Sequence, residues 1–314
     1  MSTRPLVGIA VPVRNAEAWL DEMLVSVRAQ THRDWRMIIV DDGSDDASFE
    51  IARRHEQADS RIEAIPSPTP GSGAPLTRAH GRALLGEDVD YLYFPDADDL
   101  LEPGLLARLV ERLEAEPAAV AVFCRYTRID EAGLPLDEPA PPRIAMSSHW
   151  ARRVPDTEPG TPFESLYGWA APAMEPVTMF RAADYDAAGG WEGWPEQGGE
   201  SIDLLCRMAL AGDVLFEPLP LYRYRRREGQ HSVDAERLST AARSIRGAWV
   251  RRAASDPALL PVVERAEFFV EHRLTPRLGV ETALRLVRRG RPFSAARFLG
   301  GAACRYRWRA FPEP

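Results

Sequence analysis

The sequence predicts an α/β fold, a doubly wound and mainly parallel sheet with helices on both faces, followed by a helical C-terminal tail. Two observations predict the sheet: short β-rich apolar runs alternate with segments of helical periodicity, and the connections between them are short. A third observation predicts the tail, because the pattern is helical from about Asp234 onward. We therefore expect a catalytic domain over residues 1–234 and a helical extension over residues 235–314.

The individual elements follow from apolar runs, helical spacing and turn residues. Helical spacing is clearest after the first strand, where Trp19, Met23 and Val27 recur about one turn apart. A proline-rich, patternless stretch from Asp130 to Pro162 is interpreted as a long excursion of the same domain. The predicted strands are 6–11, 37–40, 61–65, 91–94, 119–126, 174–181 and 221–225, and the predicted helices after the first are 49–57, 77–85, 104–114 and 200–211.

Acidic residues follow the fourth predicted strand in the order Asp96-Ala97-Asp98-Asp99. Alternate residues of an extended chain point the same way, so Asp96 and Asp98 can converge on one hard cation. An acidic turn that caps the next helix is the simpler interpretation of such a motif alone. Its position after a buried strand favours the metal site, because ligands of parallel sheets bind beyond the carboxyl ends of the strands.

Two further loops lie at predicted strand ends. Asp41-Asp42-Gly43-Ser44 follows the second strand, where a carboxylate can accept a hydrogen bond from a base N–H or a ribose hydroxyl. Pro12-Val13-Arg14-Asn15 follows the first strand. Each motif by itself is also a common turn, with Asn15 as a helix N-cap.

In this order, the loops resemble glycosyltransferase family 2, whose members have the nucleotide-sugar-binding GT-A fold. The resemblance covers residues 6–232. It is carried by Val11-Pro-Val-Arg-Asn15, Gln30-Thr-His-Arg-Asp-Trp35, Val40-Asp-Asp-Gly-Ser44, Arg78, Phe94-Pro-Asp-Ala-Asp-Asp99, Gly189-Gly-Trp191, Gly199-Glu-Ser-Ile-Asp-Leu204 and Leu219-Pro-Leu-Tyr-Arg-Tyr224.

The resemblance implies a role for each matching residue. Base and ribose would contact the first two loops, at Pro12, Arg14, Asn15 and Asp42. Arg78 would lie near the nucleotide, Asp96 near ribose or metal, and Asp98 would be the principal ligand of Mn²⁺ or Mg²⁺. The implied donor is a nucleotide-diphosphate sugar, UDP before GDP or dTDP, and the implied transfer inverts the anomeric carbon.

The sequence departs from the family pattern where a Glu-Asp pair is often found, because it has Glu200-Ser201-Ile202-Asp203. Ser201 cannot act as the general base unaided, so Glu200 is the first candidate and Asp203 the second. Capping of the helix that starts there is the structural alternative for both carboxylates. His231 is a candidate late ligand of metal or phosphate, although a lone surface histidine is more often only solvated.

Composition restricts the partners. The net charge is −8, which argues against nucleic acid as a partner. All 39 basic residues are arginine, so a guanidinium must serve wherever phosphate is bound. The three well-separated cysteines and the lack of a long apolar run favour a cytoplasmic protein. The Arg-rich tail, with Arg285, Arg288, Arg289 and Arg291, can contact the inner face of an anionic membrane or be a solvated helix face.

Three other classes of protein were weighed. The first βα turn lacks the G-x-G-x-x-G of a dinucleotide dehydrogenase, which excludes that class. A sugar nucleotidyltransferase would be expected to have a Gly-rich first loop and a phosphate-binding lysine, and neither is present. Ser201 leaves open a degenerate transferase that binds nucleotide sugar without turnover. The acceptor, whether saccharide, lipid-linked or natural product, is not predicted by the sequence.

Overall fold

One mixed sheet of eight strands forms the centre of the molecule. The computed structural model describes residues 4–136, 162–167, 175–191, 200–227 and 235–271. Within them the strand order is β3-β2-β1-β4-β7-β6-β8-β5. The strands are β1 Val7–Val13, β2 Trp35–Asp41, β3 Ile62–Pro66, β4 Tyr91–Tyr93, β5 Leu100–Leu101, β6 Ala119–Ile129, β7 Thr178–Arg181 and β8 Asp213–Arg225.

Helices cover both faces of the sheet, as the alternating pattern predicts. Their apolar stripes join the inner strands in one continuous core, because each amphipathic helix must bury its apolar side against the sheet. None of the described helices is long and apolar enough to cross a membrane. The helices are α1 Leu20–Arg28, α2 Ser48–Ala58, α3 Ala74–Leu84, α4 Leu105–Ala115, α5 Pro162–Tyr167, α6 Ala182–Ala187, α7 Glu200–Ala211, α8 Ala235–Ser255 and α9 Leu260–Phe269.

Strand direction explains why three loops meet at one place. β1 pairs in parallel with both β2 and β4, so the carboxyl ends of these three strands lie at the same edge of the sheet. β7 is antiparallel to both β4 and β6, and β5 is antiparallel to β8. The prediction of a mainly parallel sheet therefore holds for the first four strands, β1 to β4. It does not describe the insertion of β7, whose direction depends on long-range pairing.

Several short elements were missed by the sequence patterns. β5 has two residues, α5 and α6 have six residues each, and none is long enough to produce a periodic signal. The first half of β8 was missed because it contains Pro218 and Pro220, which ordinarily argue against a strand. The β6–β8 register shifts beside Cys124 and Arg125 show how the sheet accommodates these prolines.

The described part of the C-terminal extension packs against the sheet domain. The Trp249 ring on α8 meets the Phe163 ring on α5 edge-on, with 5.2 Å between ring centroids. Glu267 on α9 accepts a hydrogen bond from the Tyr167 hydroxyl on α5. The helical prediction is thus confirmed up to residue 271, and residues 272–314 lie outside the described residues. The boundary at residue 234 stays our proposal.

The fully buried Trp249 side chain provides a test of this packing. Trp249→Ala removes a large aromatic from the contact with α5, and we expect a loss of about 3–5 kcal/mol in the free energy of unfolding. The neighbouring Val250 is 47% exposed, so Val250→Ala should stay within about 0.5 kcal/mol of wild type. Chemical denaturation of both variants is the measurement. Equal losses would contradict the packing of α8 as a buried helix.

Candidate functional site

The loop after β1 is held by hydrogen bonds to the loop after β2. The Asn15 backbone N–H donates to Ser44 Oγ at 3.0 Å, and Asn15 Oδ1 accepts from the Asp45 N–H at 3.0 Å. Asn15 has a φ of 51°, in the left-handed region that asparagine tolerates better than most residues. Asn15 therefore joins the β1 and β2 loops, which goes beyond the N-cap interpretation: the α1 cap position is Trp19.

Asp42 is buried, and its carboxylate organises the segment before α3. Oδ1 accepts from the Ser72 N–H at 3.1 Å and the Ser72 hydroxyl at 3.2 Å, and Oδ2 accepts from the Gly73 N–H at 2.9 Å. The adjacent Gly43 has a φ of 82°, and a Cβ there would lie 2.9 Å from Pro70 Cβ. Only glycine fits this turn without displacing the loop. Asp42 thus holds the segment before α3 against the end of β2.

Arg14 and Pro12 lie at the same edge as Asp42. Pro12 is half-buried at the end of β1, and Arg14 is exposed beyond it. The Arg14 Nη1 atom lies 3.3 Å from the position that a Cβ on Gly71 would occupy. No hydrogen bond or ion pair of the Arg14 guanidinium is found among the described residues. The structure brings together Pro12, Arg14, Asn15 and Asp42, as expected, and leaves the Arg14 charge available to a ligand.

Arg78 and Asp96 form a buried ion pair at the end of β4. Arg78 Nη2 lies 2.5 Å from Asp96 Oδ1, and the Arg78 side chain is 3% exposed. The Arg78 guanidinium carbon is 5.4 Å from the centroid of the Trp191 ring. Trp191 in turn contacts Phe94 edge-on. Arg78 therefore orients the first aspartate of the acidic motif and connects it to the turn that contains Trp191.

Three carboxylates converge after β4. Oxygens of Asp96, Asp98 and Asp99 all lie within 4.8 Å of one another. Asp99 is fully buried, with Oδ1 accepting from the Arg225 N–H at 2.6 Å and Oδ2 lacking a hydrogen-bond partner among the described residues. Burial, followed by the charges of Asp98 and Asp96, raises the pKa of the Asp99 carboxyl well above its usual range. Clustered carboxylate oxygens with an unsatisfied buried acceptor suit a hard divalent cation.

Two arginines after the acidic motif in sequence complete its surroundings. Arg225 is fully buried, and its Nε donates to the Asp98 carbonyl at 2.7 Å. Its Nη1 donates to the Glu131 carbonyl, and its Nη2 pairs with Glu22 at 2.9 Å. Arg227 Nε lies 2.7 Å from Asp98 Oδ2. The sequence analysis identified neither arginine as a site residue, because both belong to one basic run at the end of the last predicted strand.

The two candidates for the general base lie about one turn apart on α7. Glu200 is the first residue of α7, which begins where the sequence predicts. Asp203 is fully buried, and its two oxygens pair with Arg207 and Arg252, each at 2.9 Å. Arg207 also donates to the Gly190 carbonyl at 2.7 Å. Asp203 thus supports the turn before Trp191, which favours Glu200 over Asp203 as the base.

The remaining predicted site residue, His231, lies outside the described residues, as do the tail arginines at 285–291. Its role as a late metal or phosphate ligand stays a prediction.

The parallel βα units with helices on both faces form a GT-A-like α/β fold. Residues 8–153 match the model of the family described as "Glycosyl transferase family 2". This match ends within the excursion after β6. It contains the first two loops, Arg78 and the acidic motif, but not α7 or the basic turn.

Curated relatives match the same part of the chain. The putative teichuronic acid biosynthesis glycosyltransferase TuaG of Bacillus subtilis is 33% identical over 135 residues, which are 43% of this chain and 52% of TuaG. The O-antigen biosynthesis protein RfbC of Myxococcus xanthus is 32% identical over 135 residues, 42% of this chain and 10% of RfbC. The aligned segment thus spans about half of TuaG and a small part of RfbC.

Two solved structures share the fold. Mannosyltransferase PcManGT from Pyrobaculum calidifontis, in complex with GDP-Man and Mn²⁺, has a TM-score of 0.63 and 18% identity, covering 99% of this chain and 89% of its own. S. aureus TarS 1-349, in complex with UDP-GlcNAc, has a TM-score of 0.60 and 16% identity, covering 78% of this chain and 66% of its own. At these identities the likeness establishes the fold alone.

Proposed function

We propose that this protein transfers a sugar from a nucleotide-diphosphate donor to an acceptor hydroxyl, with a divalent metal ion and inversion at the anomeric carbon. The observation that carries the proposal is the convergence of Asp96, Asp98 and Asp99 beside the buried Arg78. Asp42 and the exposed Arg14 lie at the neighbouring strand ends. Acidic ligands for a metal and cationic groups for phosphate are thereby assembled at one edge of the sheet.

A UDP-sugar is the proposed donor, with a GDP-sugar as the next candidate. Family resemblance favours UDP, and the two structural neighbours bind UDP-GlcNAc and GDP-Man respectively. The acceptor, a saccharide, a lipid-linked sugar or a natural product, is left open within this proposal.

Each group at the site has a definite task in this reaction. Asp98 and Asp96 would hold Mn²⁺ or Mg²⁺, which when bound neutralises charge on the leaving diphosphate. Arg78 fixes the orientation of Asp96, and Arg225 fixes the backbone of Asp98. Arg14, which lies against the loop shaped by Asp42, supplies a guanidinium toward the nucleotide. The chain has no lysine, so arginines alone supply positive side-chain charge to the phosphates.

Glu200 is the proposed general base. Inverting transfer is a single displacement, and the acceptor hydroxyl must lose its proton as it attacks. Glu200 is the first residue of α7, the position at which the sequence places the candidate base. Asp203 one turn later is occupied by Arg207 and Arg252. Both oxygens of Asp203 are therefore already engaged within the chain.

A second candidate function is nucleotide-sugar binding without turnover. Ser201 occupies the position where family members often have aspartate, and this residue favours a degenerate transferase. The two functions share the donor site and differ only in whether the sugar is transferred.

A thermal-shift panel of nucleoside diphosphates, with and without MnCl₂, tests the proposed donor site. A ligand at 100 times its dissociation constant stabilises the native state by about 2.7 kcal/mol. We therefore expect UDP with Mn²⁺ to raise the melting temperature by roughly 5 °C, and UDP alone to raise it less. No response to any nucleotide would contradict both functions. Release of UDP from UDP-sugars in the presence of candidate acceptors then separates transfer from binding alone.

We also propose a cytoplasmic location with a peripheral contact between the Arg-rich tail and anionic membrane. In the full-length chain, replacing Arg285, Arg288, Arg289 and Arg291 with glutamate should abolish co-sedimentation with phosphatidylserine-containing vesicles, because each basic residue near such a surface contributes about 1 kcal/mol. Vesicles of phosphatidylcholine alone are the control. Equal sedimentation of wild type and variant would exclude the tail as the anchor.

A further inference from the structure

Asp98 already has a cationic partner within the chain. Arg227 Nε lies 2.7 Å from Asp98 Oδ2, and the side chains of Arg227 and Asp98 are 39% and 13% exposed. The Arg227 guanidinium carbon also lies 5.3 Å from the centroid of the Trp19 ring, a cation–π contact. A half-exposed guanidinium therefore already pairs with one oxygen of the carboxylate on which the proposed metal would bind.

The contrast with Arg225 shows that this contact can be exchanged. Arg225 is fully buried, and its guanidinium donates to the Asp98 and Glu131 carbonyls and to Glu22. Displacing it would leave several buried groups unsatisfied, at a large cost. Arg227 makes one ion pair and one ring contact among the described residues, and both are partly exposed. Because the guanidinium side of this pair is open to solvent, Arg227 can move into water when another cation takes over the charge of Asp98.

Charge balance explains why a cation is needed at Asp98. Asp96, Asp98 and Asp99 lie within 4.8 Å of one another, and their charges repel at this distance. Arg78 neutralises Asp96, and Arg227 neutralises Asp98. A divalent ion bound by Asp98 and the Arg227 guanidinium would compete for the charge of one carboxylate, because both are cations.

We propose that Arg227 is an exchangeable counter-ion of the metal site: it neutralises Asp98 before the divalent ion binds, is displaced when the ion binds, and then faces the diphosphate. This inference rests on the proposed function, in which Asp98 is the metal ligand. After displacement the guanidinium stays tethered two residues beyond the end of β8, beside the acidic motif. A diphosphate on the ion brings negative charge to that position, and a guanidinium pairs well with phosphate oxygens.

Arg227→Ala should strengthen the binding of Mn²⁺ and weaken the binding of UDP. Binding of Mn²⁺ alone, measured from the free-ion signal in electron paramagnetic resonance, should become about three- to tenfold tighter than in wild type, because a competing cation is removed. Binding of UDP at saturating Mn²⁺, measured by calorimetry, should become about three- to tenfold weaker. A purely structural role of Arg227 would weaken both. Arg227→Lys retains the charge and should move both affinities back toward wild type.

Arg223→Ala is the matched control. Arg223 lies on β8 four residues before Arg227, is similarly exposed and pairs with Glu102, so its removal changes the net charge equally without touching Asp98. Mn²⁺ binding to Arg227→Ala that is no tighter than to Arg223→Ala overturns the inference. UDP binding that is not weakened overturns the diphosphate contact. If wild type binds UDP independently of Mn²⁺, the proposed metal-dependent function fails, and tighter Mn²⁺ binding by Arg227→Ala would still support the competition at Asp98.

Discussion

Asp98→Ala should weaken the binding of UDP in the presence of Mn²⁺ by about 100-fold or more. Loss of residues that only orient metal ligands typically costs 10–100-fold in metal affinity, and loss of a direct ligand should cost at least as much. The Asp98 side chain is largely buried and converges with Asp96 and Asp99. Isothermal titration calorimetry with UDP, with and without Mn²⁺, measures the effect.

Two controls separate metal binding from damage to the fold. Asp98→Asn retains the shape of the side chain and loses its charge, so it should also bind UDP–Mn²⁺ weakly while melting close to wild type. Asp88→Ala removes an exposed carboxylate paired with Arg36 and should bind UDP–Mn²⁺ like wild type. Unchanged affinity in both Asp98 variants would remove Asp98 from the metal site.

Glu200→Gln should lower turnover by about 10²–10⁴-fold while leaving UDP–Mn²⁺ affinity nearly intact, because a positioned general base contributes about this factor to rate. The change keeps the size of the side chain and removes its ability to accept a proton. Steady-state transfer from the donor identified in the nucleotide panel, combined with calorimetry of UDP, separates kcat from binding. Ser201→Ala should have a mild effect on both quantities.

Asp203→Asn distinguishes the two carboxylates. Because Asp203 pairs with Arg207 and Arg252, its substitution should lower the melting temperature as well as activity. Glu200→Gln should lower activity alone. If Asp203→Asn abolishes turnover at unchanged stability and Glu200→Gln does not, the base is one helical turn later than proposed. If wild type transfers no sugar from any donor, the binding function without turnover is favoured.

Local sequence patterns were sufficient to predict the first four strands of the sheet. β1, β2, β3 and β4 are buried apolar runs bounded by turn residues, and the structure places each within a few residues of its predicted range. Parallel pairing of β1 with β2 and β4 then brings the three predicted loops to one edge. The proximity of Asp42, Arg78 and Asp96 could therefore be anticipated from the sequence.

Other features required the tertiary structure. Apolar periodicity does not encode strand direction, so the antiparallel insertion of β7 was not predicted. Asp203 and Glu200 look alike in sequence, and only the tertiary structure shows that Arg252 of α8 pairs with Asp203 beside Arg207 of α7. Arg225 and Arg227 belong to one basic run, yet one is buried and the other half-exposed.

The sequence alone determined the class of fold, the place of the acidic motif and the use of arginine in place of lysine, because these depend on residue type and on local spacing. Tertiary structure decided which distant charges are paired: Asp96 with Arg78, Asp98 with Arg227, and Asp203 with Arg252. Ion pairing depends on distances of a few ångströms between residues far apart in the chain. Such distances are set by the packing of whole elements, and no local pattern encodes them.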